Sequence, residues 1–454
     1  MFVPESTYQF FGFFDGLAIF FWLVIIIFLS ISTKNNNKHL PHYRYYSLGL
    51  YVKIFSAVIF SIIYILKYGG GDTTAYWDCA QKLNNLCFYN FKSFLKEFLF
   101  SKPDRLRYLH FDFQHTGMPP NWIYNEDEGW FTSKVMFLLS LVTLRSYFAM
   151  TIICAFLSFK ASWKLFEMGI KYKTGTTKNL AIATLFLPST AFWCTGISKD
   201  MIVYFCVIYS LHYLFLFLDK EEKKGFGAIF KLVILFFLMN NIRSFMLASV
   251  ILPFIFSLGL KLANNKKYNS FSQFFIKTII IVGILMSMLI FFNSQKADEF
   301  SKEAKVIQTD LKNNAEYGGL RYDLDITDYS PIGMLKAMPI SVFTAIYRPF
   351  LWEANSIFVL ISAIETFLLL LFTIRIPFNI GFSKLFHIIQ KNEFLVMSLV
   401  FTLILGFFAG YTSGLFGVLV RFKAPLLPFI YIILTTKLNE NDSKDLSTNN
   451  SPQI

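Results

Sequence analysis

Repeated apolar runs, each about as long as a bilayer-crossing helix and parted by charged stretches, constrain this chain more than any motif does. About 20 apolar residues make a helix about 30 Å long, the thickness of the hydrocarbon layer. Water is absent there, so peptide groups must bond to one another, and only helices and closed barrels cross. The runs read as about eleven spans, near residues 13–32, 48–67, 146–166, 180–197, 201–218, 226–242, 244–261, 277–293, 354–375, 393–411 and 415–436. The expected fold class is all-α: a polytopic integral membrane protein with about eleven transmembrane helices and two long outer loops.

Composition removes the soluble alternative. Hydrophobic residues make up 55% of the 454 positions and charged residues only 16%, with a mean hydropathy of +0.50. A water-soluble domain cannot cover that much apolar surface. The excess of 42 Lys and Arg over 29 Asp and Glu gives +13, which in a soluble chain would suggest nucleic acid. Here the basic residues fall between spans, where they set orientation and meet anionic lipid heads, so membrane lipids are the expected partner and nucleic acid is not. The N-terminal run lacks a preceding basic region and a small-residue cleavage site, and reads as a retained span. Cys79 and Cys87 share one loop but stand about 12 Å apart if helical, so they are expected to be unpaired.

Orientation follows from charge. With eleven spans, thirteen cations fall on one side: Lys34, Lys38, Arg44, Lys53; Lys160, Lys164, Lys171, Lys173, Lys178; Lys261, Lys266, Lys267, Lys277. That side is the cytoplasm. A spanning 131–144 segment would throw the second cluster outside, so this segment is expected at the interface. The N-terminus is then outside and the C-terminus inside. Residues 68–130 and 294–338 become the outer loops, each with eight acids against six bases. Four regions follow: an extra N-terminal span and cytoplasmic loop (1–47), a module with both outer loops (48–338), the C-terminal spans (339–436) and a polar cytoplasmic tail (437–454).

Polar groups able to do chemistry gather on the outer side. Gly69-Gly70-Gly71-Asp72 ends the second span, with Tyr76 one turn on; the glycines free the backbone to aim a carboxylate at the membrane surface. A glycine turn with a solvated acid is the alternative. Between the fourth and fifth spans, Lys199 and Asp200 occupy a connector too short to leave the bilayer rim; Asp200 also suits a helix cap. Arg243 lies in the next outer turn, Arg348 and Glu353 lead into the ninth span, and Arg421 and Lys423 open the eleventh. Outer cations of this kind suit an anionic head group, because guanidinium grips phosphate oxygens bidentately; snorkelling to lipid phosphate is the alternative for each alone. Glu365 and His212 lie within spans, where a packed role competes with a functional one. No phosphate-binding glycine loop with Lys, no HExxH and no GxSxG occurs. No cofactor motif is legible and no metal-ligand cluster is read, which leaves a divalent metal as the one open cofactor.

From residue 48 to about 338 the layout resembles the C-type (GT-C) membrane glycosyltransferases. Asp72 stands where that family carries an acid after the first span of its module. Thr73 follows where the family often has a second acid. Asp200 falls in the second outer loop, where some members carry one. The segments Phe91–Phe100 and Phe131–Leu144 match the family's two amphipathic loop helices, and 294–338 is similar to its active-site loop. The resemblance implies a cell-envelope enzyme of a bacterial cytoplasmic (inner) membrane, moving a sugar from a polyprenyl-phosphate donor to a glycan or lipid-linked acceptor on the extracytoplasmic face. Asp72 would be the base, with Asp200 as the second catalytic acid. Tyr76, Lys199, Arg243, Arg348, Glu353, Arg421 and Lys423 would bind substrate. An O-antigen-type repeat-unit polymerase is similar in having large outer loops and outer arginines, which would make Arg348 and Arg421 central. A transporter or flippase would rely instead on midplane groups such as Glu365 and His212. The orientation has a direct test: cysteines introduced into 294–338 should react with an impermeant maleimide in intact cells, and protection until the cells are opened would invert the assignment.

Overall fold

The computed structural model describes residues 10, 12–100, 107–219, 225–263, 320–326, 328–379 and 381–436, with scattered positions between 269 and 313. Among the described residues the chain is all-α: α1 (Phe13–Asn36), α2 (Tyr46–Leu66), α3 (Asp72–Tyr89), α4 (Phe91–Phe100), α5 (Asn121–Tyr124), α6 (Asp127–Val142), α7 (Tyr147–Lys171), α8 (Thr177–Leu185), α9 (Pro188–Trp193), α10 (Lys199–Leu218), α11 (Phe226–Ile242), α12 (Ser244–Ala263), α13 (Pro331–Tyr347), α14 (Ile357–Asn379), α15 (Phe382–Lys391), α16 (Glu393–Thr412), α17 (Phe416–Phe422) and α18 (Leu427–Leu434). A single antiparallel bridge, Arg321 to Leu415, is isolated from any strand.

Seven of these helices are long and apolar enough to cross a membrane, or eight if the bent pair α17–α18 is one span. The count of eleven is thus not reached among the described residues, for reasons local to four segments. Residues 180–197 do not form one rod, since the helix stops before Pro188, whose ring cannot sit inside an α-helix without displacing a carbonyl. α11 has 17 residues, a length of about 25 Å, short of a full crossing. Residues 415–436 bend by 68° at the α17–α18 break, where Pro425 stands and after which Pro428 opens α18. Apart from residue 278, the expected span 277–293 lies outside the described residues. Lipid is the natural solvent for what the seven long helices leave uncovered: Phe14 of α1 is 80% exposed and Phe28 is 70% exposed.

Two compact units are formed, Met1–Leu165 with Pro188–Ala248, and Phe166–Leu187 with Ser249–Ile454. In the first, α3 packs on α6, α2 on α9, and α10 and α6 on α11. The loop expected over 68–130 is largely helical. Ala75, Tyr76, Cys79, Ala80, Leu83 and Leu86 recur on one buried face of α3 at helical spacing, and Asn84 Nδ2 donates to Ser140 Oγ of α6 at 2.6 Å. α4 coincides with the expected 91–100 helix, and α6, of 16 residues, covers most of the expected 131–144 segment and is not among the span candidates. Cys79 and Cys87 form no disulfide.

In the second unit, α13 packs along α16, α16 against α18, and α8 against α18. α13 begins at a Ser330 cap, whose Oγ accepts from Gly333 N at 3.2 Å, with Pro331 at the first position. The outer loop expected over 294–338 therefore ends inside this helix, with residues 331–338 forming its first half. Gly406 and Gly410, a GxxxG pair on α16, both face α13. A Cβ on Gly410 would sit 2.0 Å from the Ser341 carbonyl oxygen. Small residues at this spacing let backbones meet where lipid gives no hydrophobic drive to associate. Gly410→Ala should therefore cost ~1–3 kcal/mol of stability in a detergent melt, whereas Gly417→Ala, with nothing within 4 Å of its Cβ, should melt within about 1 kcal/mol of wild type.

Candidate functional site

In the first unit, the site starts from two interruptions of helix. Gly69, Gly70 and Gly71 all have positive φ (64°, 126° and 103°), a run that L side chains resist and glycine permits. This run ends α2 and starts α3 at Asp72, so the acid stands at a helix N-terminus, half-buried, with the buried Tyr76 one turn along the same face. Thr73, next to it, is locked by a 3.0 Å bond between its hydroxyl and that of Tyr147.

The second interruption is the turn from α9 to α10. It is pressed so close to α2 that a Cβ on Gly196 would lie 2.2 Å from the Phe60 ring. Ser198 caps α10, its Oγ accepting from Met201 N at 3.1 Å. The cap role considered for Asp200 thus belongs to Ser198. Asp200 is 1% exposed and pairs with Arg243, Nη1 to Oδ1 at 2.8 Å. Arg243 is 6% exposed and sits in the extended break between α11 and α12. Lys199, also 6% exposed, would be disfavoured at a helix N-terminus by the helix dipole. Two carboxylates meet it, Glu126 directly and Glu128 at 3.4 Å. Burial pushes the Glu128 carboxyl above its usual range, with Lys199 and then Arg243 opposing the shift.

Lys199, Asp200 and Arg243 are therefore brought together, and Glu126 and Glu128, which the sequence did not single out, join them. The stretch Asn125-Glu126-Asp127-Glu128 looks like a solvated loop until α6 is folded. Two cations against three carboxylates make a network with no surplus positive charge at rest.

Arg348, Glu353 and Lys423 form a separate cluster in the second unit. Arg348 ends α13, and its Nε donates to Glu353 Oε1 at 3.0 Å while Nη2 donates to the same oxygen at 2.5 Å. Its guanidinium carbon lies 4.9 Å from the Tyr322 ring and 5.0 Å from the Phe416 ring. Glu353 also accepts from Phe350 N at 2.8 Å. Fork and faces are thus engaged within the protein, which suits a post that organises its loop better than an open phosphate clamp. Lys423 is fully buried and donates to the Arg348 carbonyl at 2.6 Å. It does not snorkel, and the nearby charge acting on it is Glu365. Glu365 is 5% exposed, and its backbone carbonyl accepts from Tyr431 OH at 2.8 Å. Arg421, in the last turn of α17, is half-buried. His212, on α10, lies among Tyr209 and Tyr213. Among the described residues, no group of three or more His, Cys, Asp or Glu is placed to hold a metal.

Buried charge makes the first cluster testable by stability alone. Arg243→Leu strands the Asp200 carboxylate and should cost roughly 3–5 kcal/mol, whereas adding Asp200→Asn should restore part of the loss. Equal melts for the single and double variants would mean that the pair is not coupled. No protein-family model, curated protein or solved structure matches the chain.

Proposed function

We propose that the protein is a membrane glycosyltransferase of cell-envelope polysaccharide assembly, taking a sugar from a polyprenyl-phosphate-linked donor on the extracytoplasmic face. One observation carries the reading: a run of three left-handed glycines delivers a half-buried carboxylate, Asp72, to the end of an apolar span. The nearly buried Lys199 and Arg243 in the same unit supply the cations that a departing phosphate requires.

The acceptor hydroxyl attacks the anomeric carbon as its proton passes to Asp72. The new glycosidic bond forms while the bond from that carbon to the phosphate oxygen breaks, and the leaving lipid phosphate takes the bonding pair. Its negative charge develops beside Lys199 and Arg243, where low dielectric strengthens the attraction. The donor is already in the lipid phase, so its chain needs no separate binding groove in water.

A repeat-unit polymerase is the second reading; it would use Arg348, which stands part-exposed beside Glu353 at the end of α13 and would have to exchange that carboxylate for substrate. One substitution separates the two. Asp72→Asn keeps size and hydrogen bonding but removes the proton acceptor, so turnover should fall at least about 100-fold with donor affinity little changed. If Asp72→Asn stays near wild type while a normally inserted Arg348→Ala stops chain growth, the polymerase reading replaces the transferase.

A further inference from the structure

We infer that Glu126 and Glu128 are a displaceable gate on the Lys199 ammonium, occupying in the resting protein the place that a phosphate or diphosphate anion takes when substrate binds. The inference rests on the transferase reading for the identity of that anion, but its physical basis is independent of Asp72.

Exposure separates the carboxylates. Those of Glu126 and Glu128 are each 45% exposed at the side chain, whereas the Lys199 side chain they meet is only 8% exposed. The two acids can swing into water at little cost. The ammonium cannot follow them, and a buried cation left without a counter-ion is strongly disfavoured. Release of the glutamates is therefore coupled to entry of another anion, and the site exchanges rather than empties.

Asp200 behaves differently. At 1% exposure, held by Arg243, it has no route to water, so it stays as the fixed member that keeps Arg243 beside the exchanging position. The electrostatic reach of Arg243 extends to Glu128, which ties both cations to the acid that leaves. Two negative charges leave with the glutamates and about two to three arrive with a diphosphate, so the exchange adds at most about one new charge to the site. Glu126 precedes α6 and Glu128 lies in its first turn, so their release also frees the start of α6 from α10.

A resident competitor scales the apparent affinity down to the fraction of time that it leaves the site open. Removing it should tighten binding, the reverse of what loss of a purely structural ion pair would do. The test uses the purified full chain in detergent, titrated by calorimetry with geranyl diphosphate and, separately, with inorganic pyrophosphate. Glu126→Gln/Glu128→Gln should bind at least roughly ten-fold more tightly than wild type, and Lys199→Gln should abolish the gain. Each single variant, Glu126→Gln or Glu128→Gln, leaves Lys199 one carboxylate and should fold even if the double variant or Lys199→Gln does not; its own change in affinity then decides in the same sense. Tightening for geranyl diphosphate only marks the lipid-linked anion as the occupant, and equal tightening for pyrophosphate marks free diphosphate. Either supports the exchange.

Unchanged or weaker binding in the double variant overturns the gate and makes Glu126 and Glu128 docking residues for α6. The same holds if the gain persists in Lys199→Gln. A fully active Asp72→Asn would sink the transferase reading while leaving these titrations unaffected, so the two failures are distinguishable.

Discussion

A charged or polar group that lipid surrounds must find its partner inside the chain, because no water is there to supply one. In the first unit this requirement produces the Asp200–Arg243 pair, each member all but excluded from solvent, at the junction where α10 faces α11. In the second it produces Lys423 bonded to the Arg348 carbonyl, with Glu365 as a countercharge. Each pairing fixes an interruption of helix: the α11–α12 break at Arg243, and the turn after α13 at Arg348. The irregular backbone that a site needs is thus paid for by buried electrostatics.

Helix breaks also decide where reactive groups can stand. A continuous span presents only its side-chain stripe, whereas a break exposes backbone and turns a residue along the membrane surface. Three glycines place Asp72 in this way. Pro188 divides α8 from α9, after which the tight Gly196 turn sets Lys199 and Asp200 at the start of α10. The apolar lengths on either side are held by packing of a different kind, such as the approach of Gly410 to Ser341, where shape rather than charge sets the fit.

The two clusters differ in what they are free to do. Arg348 is gripped by Glu353 and covered by Tyr322 and Phe416, and Glu353 itself is only 13% exposed, so nothing in that set moves without cost. Lys199 is more deeply buried than Arg348, yet its two carboxylate partners are half in water. A rigid post and an exchangeable site can therefore use the same residue types. The distinction lies in the exposure of the acid.

The all-α membrane class was legible without any tertiary information, because an apolar run and the satisfaction of its own backbone bonds are both local properties. So were the positions of Asp72, Lys199, Asp200 and Arg243, since glycine runs and charges at span ends stand out in one dimension. The span count was not, because whether an apolar run crosses or breaks depends on local bends such as those at Pro188 and at α17–α18. Nor was the role of Glu126 and Glu128, which read as solvated acids some 70 residues before Lys199. Only folding brings α6 and α10 together and turns them into countercharges. Sequence by itself determined which residues could carry chemistry and that lipid would be their solvent; tertiary structure decided which of them meet, because electrostatic partnership depends on distance and burial, and neither is a property of sequence separation.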